Sequence, residues 1–143
     1  MQVLHIMKTD FVAFPSLLLA DDNPALLDTL VEMLEPAYKI AGALNSGASV
    51  LKKVEGFTPD LIILDVSLGD MTGFDVARRL KATGSPAKII FLTVHEDIDF
   101  VNAAFDLGAS GYVFKSRISA DLTKAIDIVF SGGRFASTAS PSM

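Results

Sequence analysis

Four short apolar runs in this chain each stop at a polar residue of a reactive type, and no other feature restricts the possible folds as much. Leu17-Leu18-Leu19-Ala20 ends at Asp21-Asp22, Leu61-Ile62-Ile63-Leu64 at Asp65, Ile89-Ile90-Phe91-Leu92 at Thr93, and Gly111-Tyr112-Val113-Phe114 at Lys115. Continuous apolar runs of this length, bounded by polar residues, suit strands buried on both faces, as in a parallel sheet covered by helices. The residues that close such strands share one edge of the sheet, where open α/β sheets bind their ligands. Three carboxylates, a hydroxyl and an ammonium on one edge point to a divalent-metal site that handles a phosphoryl group.

The segments between the runs carry helical signals. Asn23-Pro24 reads as an N-cap followed by proline at the first helical position. Leu26, Leu27, Leu30, Val31 and Leu34 then fall on one helix face, and Pro36 ends that helix. A second strand is expected over Tyr38 to Leu44 and a second helix over Gly47 to Glu55. A third helix buries Phe74, Val76, Ala77 and Leu80. A fourth runs from Asp97 to Leu107 with Gly108 as its C-terminal cap. The last spans Ser119 to Phe130 and turns Leu122, Ala125, Ile126 and Val129 inward, with Gly132-Gly133 closing it. Five β-then-α units with right-handed crossovers make a sheet with helices on both faces. The strand order 2-1-3-4-5 is a known pattern for such sheets and is the one expected, although the residues alone do not dictate it. It sets the first and third strands side by side, so that Asp21, Asp22 and Asp65 can share a cation.

The bulk properties narrow the classes further. A chain of 143 residues has the size of one domain. Mean hydropathy is high at +0.44, yet no apolar stretch approaches the roughly 18 residues that a membrane span needs. No membrane association is expected. The first fifteen residues read as an extension; Lys8 is their one basic residue, and no secretory cleavage pattern is present. The absence of cysteine excludes disulfide and thiolate chemistry and fits a cytoplasmic protein. A net charge of -5 leaves only Lys52-Lys53 and Arg78-Arg79-Leu80-Lys81 as basic clusters, and these read as solvated helix faces rather than a nucleic-acid surface.

Over residues 16 to 133 the chain resembles the receiver domain of bacterial two-component response regulators. The likeness rests on Leu-Ala-Asp21-Asp22-Asn, Leu-Asp65-Val, Leu-Thr93-Val and Gly-Tyr112-Val-Phe-Lys115, each closing a separate strand. It implies a flavodoxin-like (βα)5 three-layer sandwich. It also implies that Asp65 is the phosphoacceptor, attacking the phosphorus of a phosphohistidine on a sensor histidine kinase. Asp21 and Asp22 resemble the family's metal-binding pair. Carboxylates this close repel one another unless a cation is present, and Mg²⁺ suits an all-oxygen site that keeps several waters; Mn²⁺ would substitute. The resemblance assigns direct ligation to Asp22, Asp65 and the backbone carbonyl of Ser67, with Asp21 acting through water. It gives Lys115 and Thr93 to the phosphoryl oxygens and makes Thr93 and Tyr112 a switch pair, the aromatic turning inward as the threonine moves. A signalling phosphoacceptor is expected, not an enzyme with turnover on a separate substrate.

Some positions depart from the family pattern. Leu68-Gly69 stands where Met-Pro is frequent, which suggests a looser loop. Val94 replaces a small residue and would narrow access to Asp65, and Ser116 replaces a proline after Lys115. Ser67 and His95 stand where water access to the acyl phosphate is influenced. The end of the chain resembles regulators whose receiver precedes a helix-turn-helix domain. Residues 134 to 143 then read as a tail or truncated linker, with Ser137 to Met143 expected to be mobile. DNA contact would need a downstream domain that these residues do not contain. Partners implied are the kinase and a homodimer, and the face of the fourth helix, fifth strand and fifth helix is the expected output surface. Phe100, Val101, Phe105 and Ile128 are candidate contacts there.

A phosphorylation-independent receiver-like interaction module is the main alternative. An aspartyl phosphatase would generally carry a second acid two residues beyond its nucleophile, where this chain has Ser67. A flavin-binding protein of the same topology would need a hydroxyl-rich and glycine-rich loop where this chain has Asp21-Asp22-Asn23-Pro24.

Overall fold

The computed structural model describes residues 15–139; the expected N-terminal extension, apart from Pro15, and the end of the tail lie outside the described residues. Strands β1 (Ser16–Ala20), β2 (Lys39–Leu44), β3 (Leu61–Leu64), β4 (Lys88–Thr93) and β5 (Gly111–Phe114) alternate with helices α1 (Pro24–Leu34), α2 (Gly47–Gly56), α3 (Gly73–Ala82), α4 (Ile98–Asp106) and α5 (Ile118–Phe130). A single 3-10 turn, Lys115–Arg117, leads into α5, and a short strand β6 (Phe135–Ala136) follows it. All strands are parallel, in the order β2-β1-β3-β4-β5-β6. The flavodoxin-like arrangement is therefore present, with one strand added at the β5 edge.

Period-2 side-chain alternation divides the core into two layers. Leu17, Leu19, Leu61, Ile63, Ile90, Leu92 and Val113 face α1 and α5, meeting Leu27, Leu30, Leu34, Leu122, Ile126 and Val129. Their neighbours Leu18, Ile62, Leu64, Phe91, Tyr112 and Phe114 face the other way, onto Val50 of α2, Val76 and Leu80 of α3, and Val101 and Ala104 of α4. Burial on both faces explains why these strands read as unbroken apolar runs. It also places Val101, a candidate surface contact, in the core.

Local signals set the helix ends. Asn23 accepts from the backbone N–H groups of Ala25 and Leu26, and Pro24 occupies the first turn of α1, as expected. Thr72 and Asp75 form a reciprocal capping box on α3. After α4, Gly108 takes φ 93°, and Gly108 N–H and Ala109 N–H donate to the carbonyls of Phe105 and Ala104. Gly132 turns the chain after α5 in the same way, at φ 92°.

That turn leads to a departure from expectation. The segment beyond α5 runs back along β5: Phe135 N–H donates to Ser110 O at 3.1 Å and Ser137 N–H to Tyr112 O at 2.8 Å. Ser137, where the sequence suggested a mobile segment would begin, is buried. A strand of two residues is too short to show an alternating pattern, and its stability comes from the β5 edge that it covers.

Candidate functional site

Parallel pairing in register carries the strand ends to one place. Ala20 pairs with Leu64 across β1 and β3, so Asp21 and Asp65, each one residue further on, emerge side by side. Leu92 and Thr93 of β4 pair with Val113 and Phe114 of β5, which brings Lys115 alongside. Asp21, Asp22 and Asp65 each offer a carboxylate oxygen, all within 4.8 Å of one another. Asp21 and Asp65 are buried and Asp22 is exposed. Lys115 Nζ lies 2.7 Å from Asp21 Oδ2 and 3.0 Å from Asp65 Oδ2.

The other oxygen of each buried carboxylate accepts from the backbone. Asp65 Oδ1 accepts from Ser67 N–H at 3.2 Å, and Asp21 Oδ1 from Asn23 N–H at 2.9 Å. Burial pushes the Asp65 carboxyl up; the Lys115 ammonium and Ser67 N–H pull against it, Asp21 reinforces it, and the net direction is upward. Burial acts to lower Lys115, but its bonds to Asp21 and Asp65 outweigh this, so its pKa is raised. One ammonium thus serves two buried carboxylates with a third acid beside them. The all-oxygen donor set and its excess negative charge fit a hard divalent cation, with Asp22 open to solvent.

Thr93 is fully buried, and its Oγ1 accepts from His95 N–H at 3.2 Å. Tyr112 is fully buried too and donates its hydroxyl to His95 O at 2.8 Å; burial raises this phenol to about 12. The inward position of the aromatic is therefore the one described here. His95 stacks on Phe100 with ring centroids 4.4 Å apart, and its Nε2 lies 3.5 Å from Ser67 Oγ, so the two rim positions singled out in the sequence meet. Val94 is 65% exposed.

The loop after Asp65 is tied down by contacts that its glycine did not suggest. Leu68 is buried, and Asp70 accepts from Gly47 N–H at 2.9 Å and Ala48 N–H at 3.0 Å, capping α2 from another loop. Those two N–H groups hold the Asp70 carboxyl below its ordinary value. Gly73 opens α3 directly beneath the site, donating its N–H to Val66 O at 2.7 Å. A Cβ there would run into the carbonyl oxygen of Asp65. Gly73→Ala is accordingly expected to lower stability by about 1–3 kcal/mol, the usual range for overpacking. Urea midpoints should show this loss, and Gly56→Ala, where nothing lies within 4 Å, should not share it.

A groove of about 560 Å³ between α2 and α3, lined in part by Leu51, Val54, Leu80 and Pro86, sits at the opposite end of the sheet and holds none of the candidate residues. No helix among the described residues is long and apolar enough to cross a membrane.

Known proteins resemble this chain in sequence and in fold. The response regulator receiver domain family matches residues 17–127. The chain is 30% identical over 122 residues to response regulator GacA of Pseudomonas viridiflava, covering 84% of this chain and 57% of that protein. It is 35% identical over 115 residues to the transcriptional regulatory protein PdtaR of Mycobacterium tuberculosis, covering 80% and 56%. It thus spans little more than half the length of these curated relatives. Among solved structures, a LuxR-family two-component response regulator from Aurantimonas sp. SI85-9A1 aligns at a TM-score of 0.81 and 28% identity, covering 85% of this chain and 89% of that one.

Proposed function

This chain belongs to the response regulator receiver family of two-component systems, and on that premise we propose that it is a phosphoacceptor switch in which Asp65 takes a phosphoryl group from a sensor histidine kinase. The observation that carries the reading is the Lys115 ammonium set between Asp21 and Asp65, with Asp22 open beside them. In the transfer, an Asp65 carboxylate oxygen forms the new O–P bond as the P–N bond of a phosphohistidine breaks, and the freed imidazole nitrogen takes a proton from solvent. Lys115, already at Asp65 Oδ2, moves to a phosphoryl oxygen. Thr93, whose Oγ1 accepts from His95 N–H, donates its hydroxyl proton to another, and Tyr112 holds the loop through His95 O. Phosphoryl transfer depends mainly on such positioning and charge stabilisation.

Asp22, Asp65 and the Ser67 carbonyl would hold Mg²⁺, with Asp21 acting through water. Bound there, the ion would neutralise charge that develops on the phosphoryl oxygens; Mn²⁺ would serve in its place. The kinase is the upstream partner, a homodimer is the assembly consistent with the family, and DNA would be reached only through a segment outside this sequence. The cytoplasm is the expected location.

Intact mass after incubation with Mg²⁺ and acetyl phosphate, beside a chelator-treated sample, is the direct test. One phosphoryl group should add only where metal is present, and hydroxylamine should remove it, as expected for an acyl phosphate. A folded, Mg²⁺-binding chain that took up nothing would select the second reading, a phosphorylation-independent interaction module. The feature favouring that alternative is Val94, a bulky residue directly after Thr93 where it would narrow access to Asp65.

A further inference from the structure

The turn that carries Lys115 has little local support. Lys115–Arg117 is one 3-10 turn with no side-chain cap, and the α5 that follows has no side-chain cap either. On one side Ser116 Oγ donates to Glu96 Oε2 at 2.8 Å, an exposed contact. On the other side the chain is held from a distance. Ser137 Oγ accepts from the backbone N–H of Phe114 at 3.1 Å and donates to Asp121 Oδ2 at 2.7 Å. Asp121, itself buried, pairs with Arg117 Nε at 2.8 Å. Arg117 and burial act in opposite senses on the Asp121 carboxyl, and with the Ser137 hydrogen bond added it lies below its ordinary value.

The residues on either side of Lys115, at positions 114 and 117, are thus both fastened to one buried pair, Ser137 and Asp121. Ser137 comes from the segment after α5, where its own N–H extends the β5–β6 ladder to Tyr112 O. Its hydroxyl then takes the next β5 N–H in place of a backbone carbonyl. Arg134, three residues earlier, lies over the Phe105 ring at 5.1 Å and joins the same segment to α4.

We infer that Ser137, acting with Asp121, is a positioning residue for Lys115, so that the chain beyond α5 helps to set the phosphoryl site. The inference rests on the proposed role of Lys115 and adds that whatever displaces residues 134–137 also displaces the ammonium. By linkage, a change in the Lys115 contacts at the site would in turn alter the hold on this segment.

The first test does not depend on phosphoryl transfer. The chain is labelled with limiting acetic anhydride and each lysine is quantified by peptide mass. Lys115, held by two carboxylates, should react slowly. In Ser137→Ala it should react several-fold faster while the other lysines keep their rates, and Ser137→Thr should restore it. An unchanged Lys115, or a common rise at every lysine, would overturn the inference, since the latter would mean general loosening. Should Ser137→Ala fail to fold, Asp121→Asn is expected to give the same Lys115-specific rise, and its failure to do so has the same meaning. The second test uses uptake from acetyl phosphate. Ser137→Ala should slow it several-fold in the parent chain and have no further effect in a Lys115→Met background; additive effects would contradict action through Lys115. If the parent chain takes up no phosphoryl group, the proposed function fails and the labelling still decides this point.

Discussion

Asp65→Asn is expected to reduce metal-dependent phosphoryl uptake to background and, at the same time, to make the metal-free protein more stable at neutral pH. The loss of uptake follows because an amide oxygen in this position cannot form the acyl phosphate. The gain in stability follows from the site's electrostatics. Burial raises the Asp65 pKa in the folded protein, with Asp21 adding to it and Lys115 and Ser67 N–H not fully offsetting it. A carboxyl with a folded pKa above its unfolded one binds more protons when folded. Its favourable contribution is complete below the unfolded pKa and is lost as pH rises through the folded pKa. At pH 7 the charged form is therefore a burden that asparagine removes, while the amide oxygen can still accept from Lys115. Urea midpoints should place the variant above the parent at pH 7, with the gap closing in acid below the ordinary aspartate range. Added Mg²⁺ should raise the parent more than the variant, because binding to the folded state stabilises it by mass action. Equal midpoints at pH 7 would show that burial of Asp65 carries no net penalty.

Lys115→Met should have the opposite effect on the fold. The ammonium touches Asp21 and Asp65, whose side chains are only 2% and 5% exposed, while about a fifth of the Lys115 side chain reaches solvent. Removing one partner of a fully buried ion pair costs about 3–5 kcal/mol. The partial exposure here places the expectation nearer 2–3 kcal/mol, for two carboxylates left without their countercharge. The deficit should be largest in metal-free buffer at neutral pH, and it should narrow in acid as Asp65, whose pKa burial raises, takes up its proton. Mg²⁺ should restore much of it, since the cation would supply the missing charge. Uptake should fall on the order of 10²-fold, the typical effect of removing one donor aimed at developing charge. Equal stability in metal-free Lys115→Met would mean that the ammonium does not offset the charge of the two carboxylates.

What the sequence determined by itself is the set of elements and the residues that close them. Unbroken apolar runs such as Leu61 to Leu64 mark strands buried on both faces, and Asn23-Pro24 and Gly108 mark helix ends. Each of these signals acts within a few residues, so each is legible from the chain alone. The candidate site could be anticipated for the same reason, because Asp21, Asp65, Thr93 and Lys115 each stand at or just beyond a strand end.

Only the tertiary structure decided which groups touch. Lys115 and Asp65 are 50 residues apart and meet because β3 and β4 pair in register and β4 and β5 do the same. Asp70 caps a helix that begins 23 residues before it, which no local spacing announces. The segment at 135–137 lies within residues 134 to 143, which read from sequence as a tail or truncated linker, small and polar from Ser137 on. It joins the domain because the β5 edge has unpaired backbone groups that it can satisfy, and because Asp121 and Phe114 N–H supply partners for the Ser137 hydroxyl. Such contacts depend on the strand order and on the relative placement of distant elements, whereas hydrophobic periodicity and capping residues record only the backbone conformation near themselves.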